Sequence, residues 1–327
     1  MDKKQIDVSR LTKTYRVPER APGLKSSLNH LLHKTYSEVL AVREISFNLE
    51  AGEVVGFIGP NGAGKTTTLK ILAGLMHPSS GTVNIVGHTP WERSNDYLRR
   101  ISMVLGNKSQ LMWDIPALDT FQVLGEIYHV PQKDFNATLD EMVELLDLAV
   151  LLHRPVRNLS LGERMKCELV AALLHRPEVI FLDEPTIGLD VTMQRRLRQF
   201  IAAYNQRTAA TIILTSHYMT DVVELCQRVI LIHHGELLYD GPLKELSEKL
   251  APFKLIRLSL QKPYDAELPE GVHVVEKEAN HLILRIDRHR TPQITAQLLQ
   301  MLPVVDLAVE DPPIDAVIDQ VYQEGNV

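Results

Sequence analysis

A glycine-rich segment that ends in lysine and threonine is the part of this sequence best suited to chemistry. It reads Gly59-Pro60-Asn61-Gly62-Ala63-Gly64-Lys65-Thr66 and fits the pattern of a loop that cradles a chain of phosphates. Glycines let the backbone turn tightly, so several N–H groups point at one phosphate chain. Lys65 is then placed to reach the β- and γ-phosphates, and the Thr66 hydroxyl to hold Mg²⁺.

The neighbouring patterns favour a phosphate site over a chance glycine-rich turn. An apolar run at residues 54–58 is typical of a buried strand, and a helix is predicted over residues 67–75. The start of that helix adds a partial positive charge. We include Thr67 among the residues predicted to bind the nucleotide.

Two acidic residues follow a second predicted buried strand, residues 179–182. In an open α/β sheet the carboxyl end of a strand faces the ligand crevice. We therefore expect Asp183 to anchor Mg²⁺, directly or at one remove, and Glu184 to polarise an attacking water. His217 follows a third strand, at 211–214, where a histidine can contact a γ-phosphate. The competing interpretations are an acidic pair in a surface turn and a structural histidine.

A serine begins a helix about 20 residues before the acidic pair. Ser160 is a favourable N-cap for a helix predicted over residues 163–174, and a helix start presents free N–H groups to an anion. Many helices begin with serine, so the indication comes from the spacing to Asp183 and not from Ser160 alone.

The framework that must position these residues is predicted to be α/β. Alternating strands and helices imply a largely parallel sheet that is covered on both faces, and residues 118–152 are mostly helical in pattern. We assign residues 1–250 to this domain and 251–327 to a small α+β accessory domain. In the first domain, further strands are predicted at 6–15, 45–49 and 82–86, and a helix at 192–205. In the second, strands are predicted at 255–260, 272–275, 282–286 and 304–309, and helices at 292–302 and 314–322.

Composition limits the function classes. The 327 residues carry a net charge of −6, which gives no support to a nucleic-acid partner. Cys167 and Cys226 lie in apolar helical patterns and are expected to be buried thiols, which fits a reducing compartment. No run reaches the roughly 18 apolar residues of a spanning helix, and the start of the chain does not look like a signal peptide. We expect a cytoplasmic protein whose membrane role is exercised through a partner.

Residues 16–38 do not fit the alternation. Leu24, Leu28, Leu31 and Leu32 recur at helical spacing with cationic side chains among them. Two interpretations stay open: a short amphipathic helix packed on the domain, and a helix that faces the membrane surface or a membrane partner.

Together these motifs resemble the ATP-binding subunits of ABC transporters, over roughly residues 6–246. The resemblance implies a P-loop ABC ATPase fold with a helical subdomain, and ATP and Mg²⁺ as ligands. It also implies that Glu184, His217 and Lys65 are catalytic. Residues 59–66 match the Walker A loop, Asp183 the Walker B carboxylate, Asp190 the end of the D-loop, Tyr15 the aromatic that stacks on adenine, and Ser160 and Gly162 the signature motif. Leu161 and Glu163 replace the usual Gly and Gln of that motif.

A glutamine that the family places after the strand at 101–105 has two candidates here. Gln110 is favoured as a ligand of Mg²⁺ and nucleotide, and Asn107 is the alternative with a shorter reach.

The resemblance further implies a head-to-tail dimer, with a second copy or a homologous ATPase, that drives membrane-spanning permease subunits from the cytoplasmic face. The long segment after Tyr15, the stretch Trp113-Asp114-Ile115-Pro116 and the C-terminal domain resemble the exporter (ABC-2) type. An importer ATPase is the nearest alternative. A ribosome-acting ATPase with tandem cassettes, a DNA-repair ATPase with a coiled coil and a non-catalytic module fit the sequence less well.

Overall fold

A computed structural model describes residues 4–18, 36–106, 108–250, 252–264 and 268–324. The chain divides into two compact units, Met1–Asp240 and Gly241–Val327. The sequence placed this boundary ten residues later, at 250/251, and the difference is one helix, Leu243–Leu250. The exact domain limit stays a prediction. Within the described ranges, no helix is long and apolar enough to cross a membrane.

The first unit contains nine strands and seven helices among its described residues, excluding short 3₁₀ turns. The strands are β1 (Ile6–Pro18), β2 (Tyr36–Leu49), β3 (Val54–Ile58), β4 (Ser80–Ile85), β5 (Ile101–Leu105), β6 (Val179–Asp183), β7 (Thr211–Thr215), β8 (Arg228–His233) and β9 (Glu236–Pro242). The helices are α1 (Lys65–Leu72), α2 (Asn95–Arg100), α3 (Ala117–Ile127), α4 (Gln132–Leu146), α5 (Leu161–Leu173), α6 (Val191–Thr208) and α7 (Met219–Leu225).

The predicted parallel sheet has the strand order β5-β6-β7-β3-β8-β9. Four neighbouring pairs, from β5 through β8, run parallel. Every residue of β6 and β7 is buried, as expected for apolar strands that are covered on both faces. Leu105, Asp183 and Thr215 are register partners across β5, β6 and β7. The residues that follow these strands therefore meet at one edge of the sheet.

A second, antiparallel sheet has the order β2-β1-β4, which the alternation of strands and helices did not predict. β1 and β2 form a long hairpin that pairs Arg16 with Glu38 and Pro18 with Tyr36. The strand predicted at 45–49 thus begins nine residues earlier, because long-range backbone pairing extends it beyond its apolar core. Residues 19–35, including the leucines with helical spacing, lie outside the described residues.

One hydrophobic core joins the two sheets through α1. Phe57 of β3, Leu69 of α1, Ile6 of β1 and Phe181 of β6 all belong to it. This packing fixes α1 against the carboxyl end of β3, so the loop between them is held from both sides. The stretch predicted to be mostly helical contains α3 and α4, as expected. β8, β9 and α7 were not predicted.

The second unit is an antiparallel sheet with helices, as predicted. It comprises α8 (Leu243–Leu250), β10 (Phe253–Leu260), β11 (Val272–Glu278), β12 (His281–Asp287), α9 (Thr291–Met301), β13 (Val304–Glu310) and α10 (Ile314–Glu324), with the strand order β11-β12-β10-β13. Alternate residues of β10 and β12, such as Ile256, Leu258 and Leu284, share a core with Ile294 and Leu298 of α9.

Candidate nucleotide-binding site

The loop between β3 and α1 needs glycine at three positions. Gly62 and Gly64 have φ values of +82° and +108°, which side chains rarely adopt. A Cβ atom on Gly64 would lie 2.5 Å from the carbonyl oxygen of Ala41, and one on Gly59 would lie 2.3 Å from that of Ile232. The loop therefore packs too closely on the hairpin and on β8 for larger residues.

Lys65 is held inside this loop. Its ammonium donates to the carbonyl oxygens of Gly59 at 2.6 Å and Pro60 at 3.1 Å, and only 6% of the residue is exposed. Burial lowers the pKa of Lys65, while the charges of Glu184 and Asp183 act in the opposite direction. The carbonyl partners of this buried ammonium are neutral, and a bound phosphate would supply the negative charge that they lack.

Asp183 accepts hydrogen bonds from two hydroxyl groups. Thr66 Oγ1 donates to Asp183 Oδ1 at 3.2 Å, and Thr215 Oγ1 donates to the same atom at 2.7 Å. Mg²⁺ is usually held by one or two carboxylates together with phosphate oxygens. One hydroxyl and one carboxylate beside a phosphate loop fit that requirement, so Thr66 and Asp183 are suited to Mg²⁺.

Glu184 and His217 form a hydrogen-bonded pair. Their Oε1 and Nε2 atoms are 2.8 Å apart. Glu184 has a φ of +55°, an uncommon conformation for a residue with a side chain. Its N–H donates to the Thr215 carbonyl oxygen at 3.0 Å and lies 3.1 Å from Thr215 Oγ1. A Cβ on Gly106 would lie 2.4 Å from the Glu184 carbonyl oxygen, so the glycine makes room for this strained backbone.

A cavity of about 180 Å³ opens at this edge of the sheet. Its lining combines the predicted metal and catalytic carboxylates with two lysines that the sequence did not single out: Thr66, Lys70, Leu105, Gly106, Lys108, Asp183, Glu184 and Ile187. Gln110 is not in this lining and instead borders a second cavity with Ile127 and Tyr128. Asn107 lies outside the described residues, so the choice between Gln110 and Asn107 stays a prediction.

Tyr15 lies beside the start of α1. Its hydroxyl oxygen is 3.4 Å from Thr67 Oγ1 and donates to Met76 Sδ at 3.1 Å. The Lys13 ammonium lies 5.4 Å from the centroid of the Tyr15 ring. This location near the phosphate loop is compatible with the predicted adenine contact, which remains a prediction.

The signature residues stand at the start of α5, as predicted. The Glu163 N–H donates to Ser160 Oγ at 3.3 Å, and the Ser160 N–H donates to Glu163 Oε2 at 2.8 Å. These reciprocal hydrogen bonds form a capping box and lower the pKa of Glu163. A Cβ on Gly162 would lie 3.1 Å from Met193, near the N-cap residue of α6, Asp190, which accepts from the Met193 N–H at 3.0 Å. Neither Ser160 nor Gly162 lines the cavity that contains Asp183.

Sequence reasoning missed Asp221, a fully buried carboxylate on α7. Asp221 accepts hydrogen bonds from Thr186 Oγ1 at 2.5 Å, Ser216 Oγ at 2.7 Å and Arg198 Nη1 at 2.9 Å. These partners lie in the segment after Glu184, beside His217, and on α6. Asp221 thus joins the segments that carry Glu184 and His217, and no pattern in the sequence pointed to this role.

Comparisons with known proteins identify the family of this chain. The family model described as ABC transporter matches residues 42–187, and the model of the C-terminal domain of EvrA-like ABC transporters matches residues 252–310. The ABC transporter ATP-binding protein NatA of Bacillus subtilis is 37% identical over 210 residues, which cover 64% of this chain and 85% of NatA. This chain belongs to the ATP-binding proteins of ABC transporters.

Members of the ABC transporter family that resemble this chain differ in their named direction of transport. Nod factor export ATP-binding protein I of Burkholderia lata is 34% identical over 214 residues, 64% of this chain and 68% of that protein. Methionine import ATP-binding protein MetN 1 of Acinetobacter baylyi is 30% identical over 281 residues, 80% of this chain and 77% of that protein.

A solved ABC cassette has the same fold. It is a dimeric ATP-binding cassette in a post-hydrolysis state bound to ADP and phosphate, with a TM-score of 0.60, 23% identity, and coverage of 73% of this chain and 98% of that chain. This likeness confirms the predicted ABC ATPase fold.

Proposed function

We propose that this chain binds and hydrolyses ATP to energise an ABC transporter of the exporter (ABC-2) type. The observation that carries the proposal is the convergence of Thr66, Asp183, Glu184 and His217 at the end of the phosphate loop, with the catalytic pair 2.8 Å apart. A phosphate loop alone indicates nucleotide binding, whereas a carboxylate beside a histidine at its end indicates hydrolysis.

The residues divide the chemistry among them. Lys65 exchanges the carbonyl oxygens of Gly59 and Pro60 for phosphate oxygens. Thr66 and Asp183 would hold Mg²⁺, which neutralises phosphate charge when it is bound. Glu184 orients and polarises the attacking water, and His217 keeps the Glu184 carboxylate in place beside the γ-phosphate. The uncommon backbone conformation of Glu184 turns its carboxylate into this position before substrate arrives.

A second protomer completes the site. Ser160 and Gly162 do not line the cavity of their own chain, which supports the head-to-tail arrangement in which the signature helix binds the ATP of the partner. The free N–H groups at the start of α5 are suited to the γ-phosphate. Hydrolysis then removes the charge that both protomers share, and the dimer opens.

A groove on the cassette supports a permease partner. The second cavity, of about 400 Å³, is bordered by Leu75 and Ile127, whose exposed fractions are 55% and 60%. Gln110 lies in the same border, and Trp113 is half exposed nearby in sequence. Exposed apolar side chains around a groove are typical of a protein contact. A permease bound there would hold the chain on the cytoplasmic face of the membrane.

Import is the second candidate, favoured by the similarity to MetN 1. The exporter proposal rests on the similarity to Nod factor export ATP-binding protein I and on the Trp113–Pro116 stretch. Co-purification of the permease, followed by transport assays in inside-out and right-side-out vesicles, separates the two directions.

Glu184→Gln tests the proposed chemistry. The amide keeps the shape of the side chain but removes the charge that orients water, so we expect ATP binding to persist and hydrolysis to fall at least about a hundredfold. An ATP-bound dimer should accumulate, as measured by gel filtration. Glu92→Gln, at an exposed position away from the cavity, is the matched control and should hydrolyse ATP normally. Near-normal turnover of the Glu184 variant would contradict the assignment.

A further inference from the structure

A buried glutamate on the signature helix holds the loop that leaves the nucleotide cavity. Glu168 lies on α5, eight residues after Ser160, and only 4% of it is exposed. Its carboxylate accepts a hydrogen bond from the Ser109 hydroxyl and another, at 3.1 Å, from the Gln110 N–H. Both donors belong to the segment that follows β5.

The other end of that segment borders the nucleotide cavity. The Gly106 N–H donates to the Asp183 carbonyl oxygen at 2.9 Å, and Gly106 and Lys108 both line the cavity. Gly106 is therefore attached to the backbone of the Walker B residue, and Ser109 and Gln110 are attached to α5.

Farther along the chain, Trp113 and Asp114 also contact residues near the signature motif. The Arg157 N–H donates to the Trp113 carbonyl oxygen at 3.0 Å, and Arg157 pairs with Asp114 at 2.9 Å. The Arg164 guanidinium lies 5.4 Å from the centroid of the Trp113 ring. The residues in these contacts are exposed or partly exposed, whereas Glu168 is buried.

The chemistry of a carboxylate suits this position. Burial raises the pKa of Glu168, and the hydrogen bonds from Ser109 and from the backbone act against that rise. An ionised carboxylate has two acceptor oxygens and no donor, so it accepts from a hydroxyl and an N–H at the same time. An amide has one acceptor oxygen, and its NH₂ group would face one of the two donors.

We propose that Glu168 is a positioning residue, which couples residues 108–110 to the signature helix so that the nucleotide bound in one protomer orients Ser160 towards the nucleotide of the partner. Glu168 does not line the nucleotide cavity and acts through Ser109, Gln110 and α5. The inference rests on the proposed function, because it requires ATP to drive closure of a dimer.

The test separates nucleotide binding from dimerisation. Glu168→Gln is introduced into the full-length Glu184→Gln chain, and binding of a fluorescent ATP analogue to the diluted monomer is compared with ATP-induced dimerisation. Loss of one hydrogen bond to a charged acceptor corresponds to about a tenfold effect. We expect the monomer to bind the analogue within about twofold of the parent, and the dimer dissociation constant to rise about tenfold. Glu144→Gln, at an exposed position on α4, is the matched control and should change neither.

Ser109→Ala shows whether the two partners act as a pair. Because Ser109 is exposed, this variant is expected to fold even if a change at buried Glu168 prevents folding. It should weaken dimerisation in the same direction, and the double variant should be no worse than Glu168→Gln alone. Additive effects, an unchanged dimer, or a loss of monomer binding equal to the loss of dimerisation would each overturn the proposal. A parent chain that binds no ATP would contradict the proposed function itself, and this inference with it.

Discussion

Two regions of the cassette hold their buried carboxylates in different ways. At the end of the parallel sheet, Asp221 is paired with Arg198, and the two side chains are 1% and 7% exposed. In the helical region, the residues from α3 through α5, Glu168 is held by the Ser109 hydroxyl and the Gln110 backbone N–H. Asp221 is thus held by an ion pair together with two hydroxyl groups, whereas Glu168 accepts hydrogen bonds from neutral donors.

We infer from this difference that the region around Asp221 must stay rigid, whereas the helical region must transmit a conformational change. A buried ion pair loses several kcal/mol when one partner is removed, because the other charge stays uncompensated. A carboxylate held by neutral donors loses less. Substitution of Asp221 should therefore lower global stability, and substitution of Glu168 should mainly alter how the two protomers close.

The largest effect is expected at Asp221. Asp221→Asn leaves the buried Arg198 with only the partly exposed Glu224 as a carboxylate partner and weakens the acceptor for the Thr186 and Ser216 hydroxyls, so the free energy of unfolding should fall by about 3 kcal/mol. Glu168→Gln, the same kind of change in the helical region, should cost about 1 to 2 kcal/mol. Urea unfolding followed by circular dichroism measures both. Equal losses would remove the distinction between the two regions.

An intermediate effect, dependent on pH, is expected at His175, which connects the helical region to β5. Its ring stacks on Tyr128 with centroids 3.8 Å apart, and its Nε2 atom lies 3.1 Å from the Ile101 carbonyl oxygen. Burial lowers the pKa of His175 from 6.5 to about 4. Between pH 6.5 and pH 4 the histidine is protonated in the unfolded chain and neutral in the folded chain. The contribution of His175 to the free energy of unfolding is therefore fully present above pH 6.5 and is lost as the pH falls towards 4.

His175→Phe tests this contribution. Phenylalanine keeps the stack on Tyr128 and cannot be protonated. When the pH falls from 7.5 to 5, the free energy of unfolding should therefore decrease by up to about 2 kcal/mol less in the variant than in the parent. Unfolding free energies at the two pH values provide the comparison. An identical acid dependence of parent and variant would show that His175 is not the group responsible.

The smallest effect on stability is expected at two helix caps, one in the helical region and one outside it. Ser160→Ala removes the cap of α5, and Ser94→Ala removes that of α2, where Ser94 Oγ accepts from the Tyr97 N–H at 3.2 Å. Each should cost about 1 kcal/mol in thermal unfolding. Only Ser160→Ala should also impair ATP-induced dimerisation, because Ser160 is proposed to contact the ATP of the partner. Impaired dimerisation of the Ser94 variant would make the effect non-specific.

The sequence by itself determined the phosphate loop, the strands that end in Asp183 and Thr215, the cap at Ser160 and the elements of the second unit from β10 to α10. These features are local: spacing, alternation and capping depend on neighbouring residues, and the printed sequence contains them in full. The hydrogen bond between Ser160 and Glu163 is a local feature of this kind, since the two residues are three apart.

The tertiary structure alone decided which distant residues meet. Gln110 and Glu168 are 58 residues apart, and Thr186 and Asp221 are 35 apart. The extension of β2 to Tyr36 likewise depends on pairing with β1. No periodicity encodes such contacts, because they arise when a shared core brings separate strands and helices together. In the same way, packing places Gln110 in the groove of Ile127 and Tyr128, and Lys108 in the cavity of Asp183.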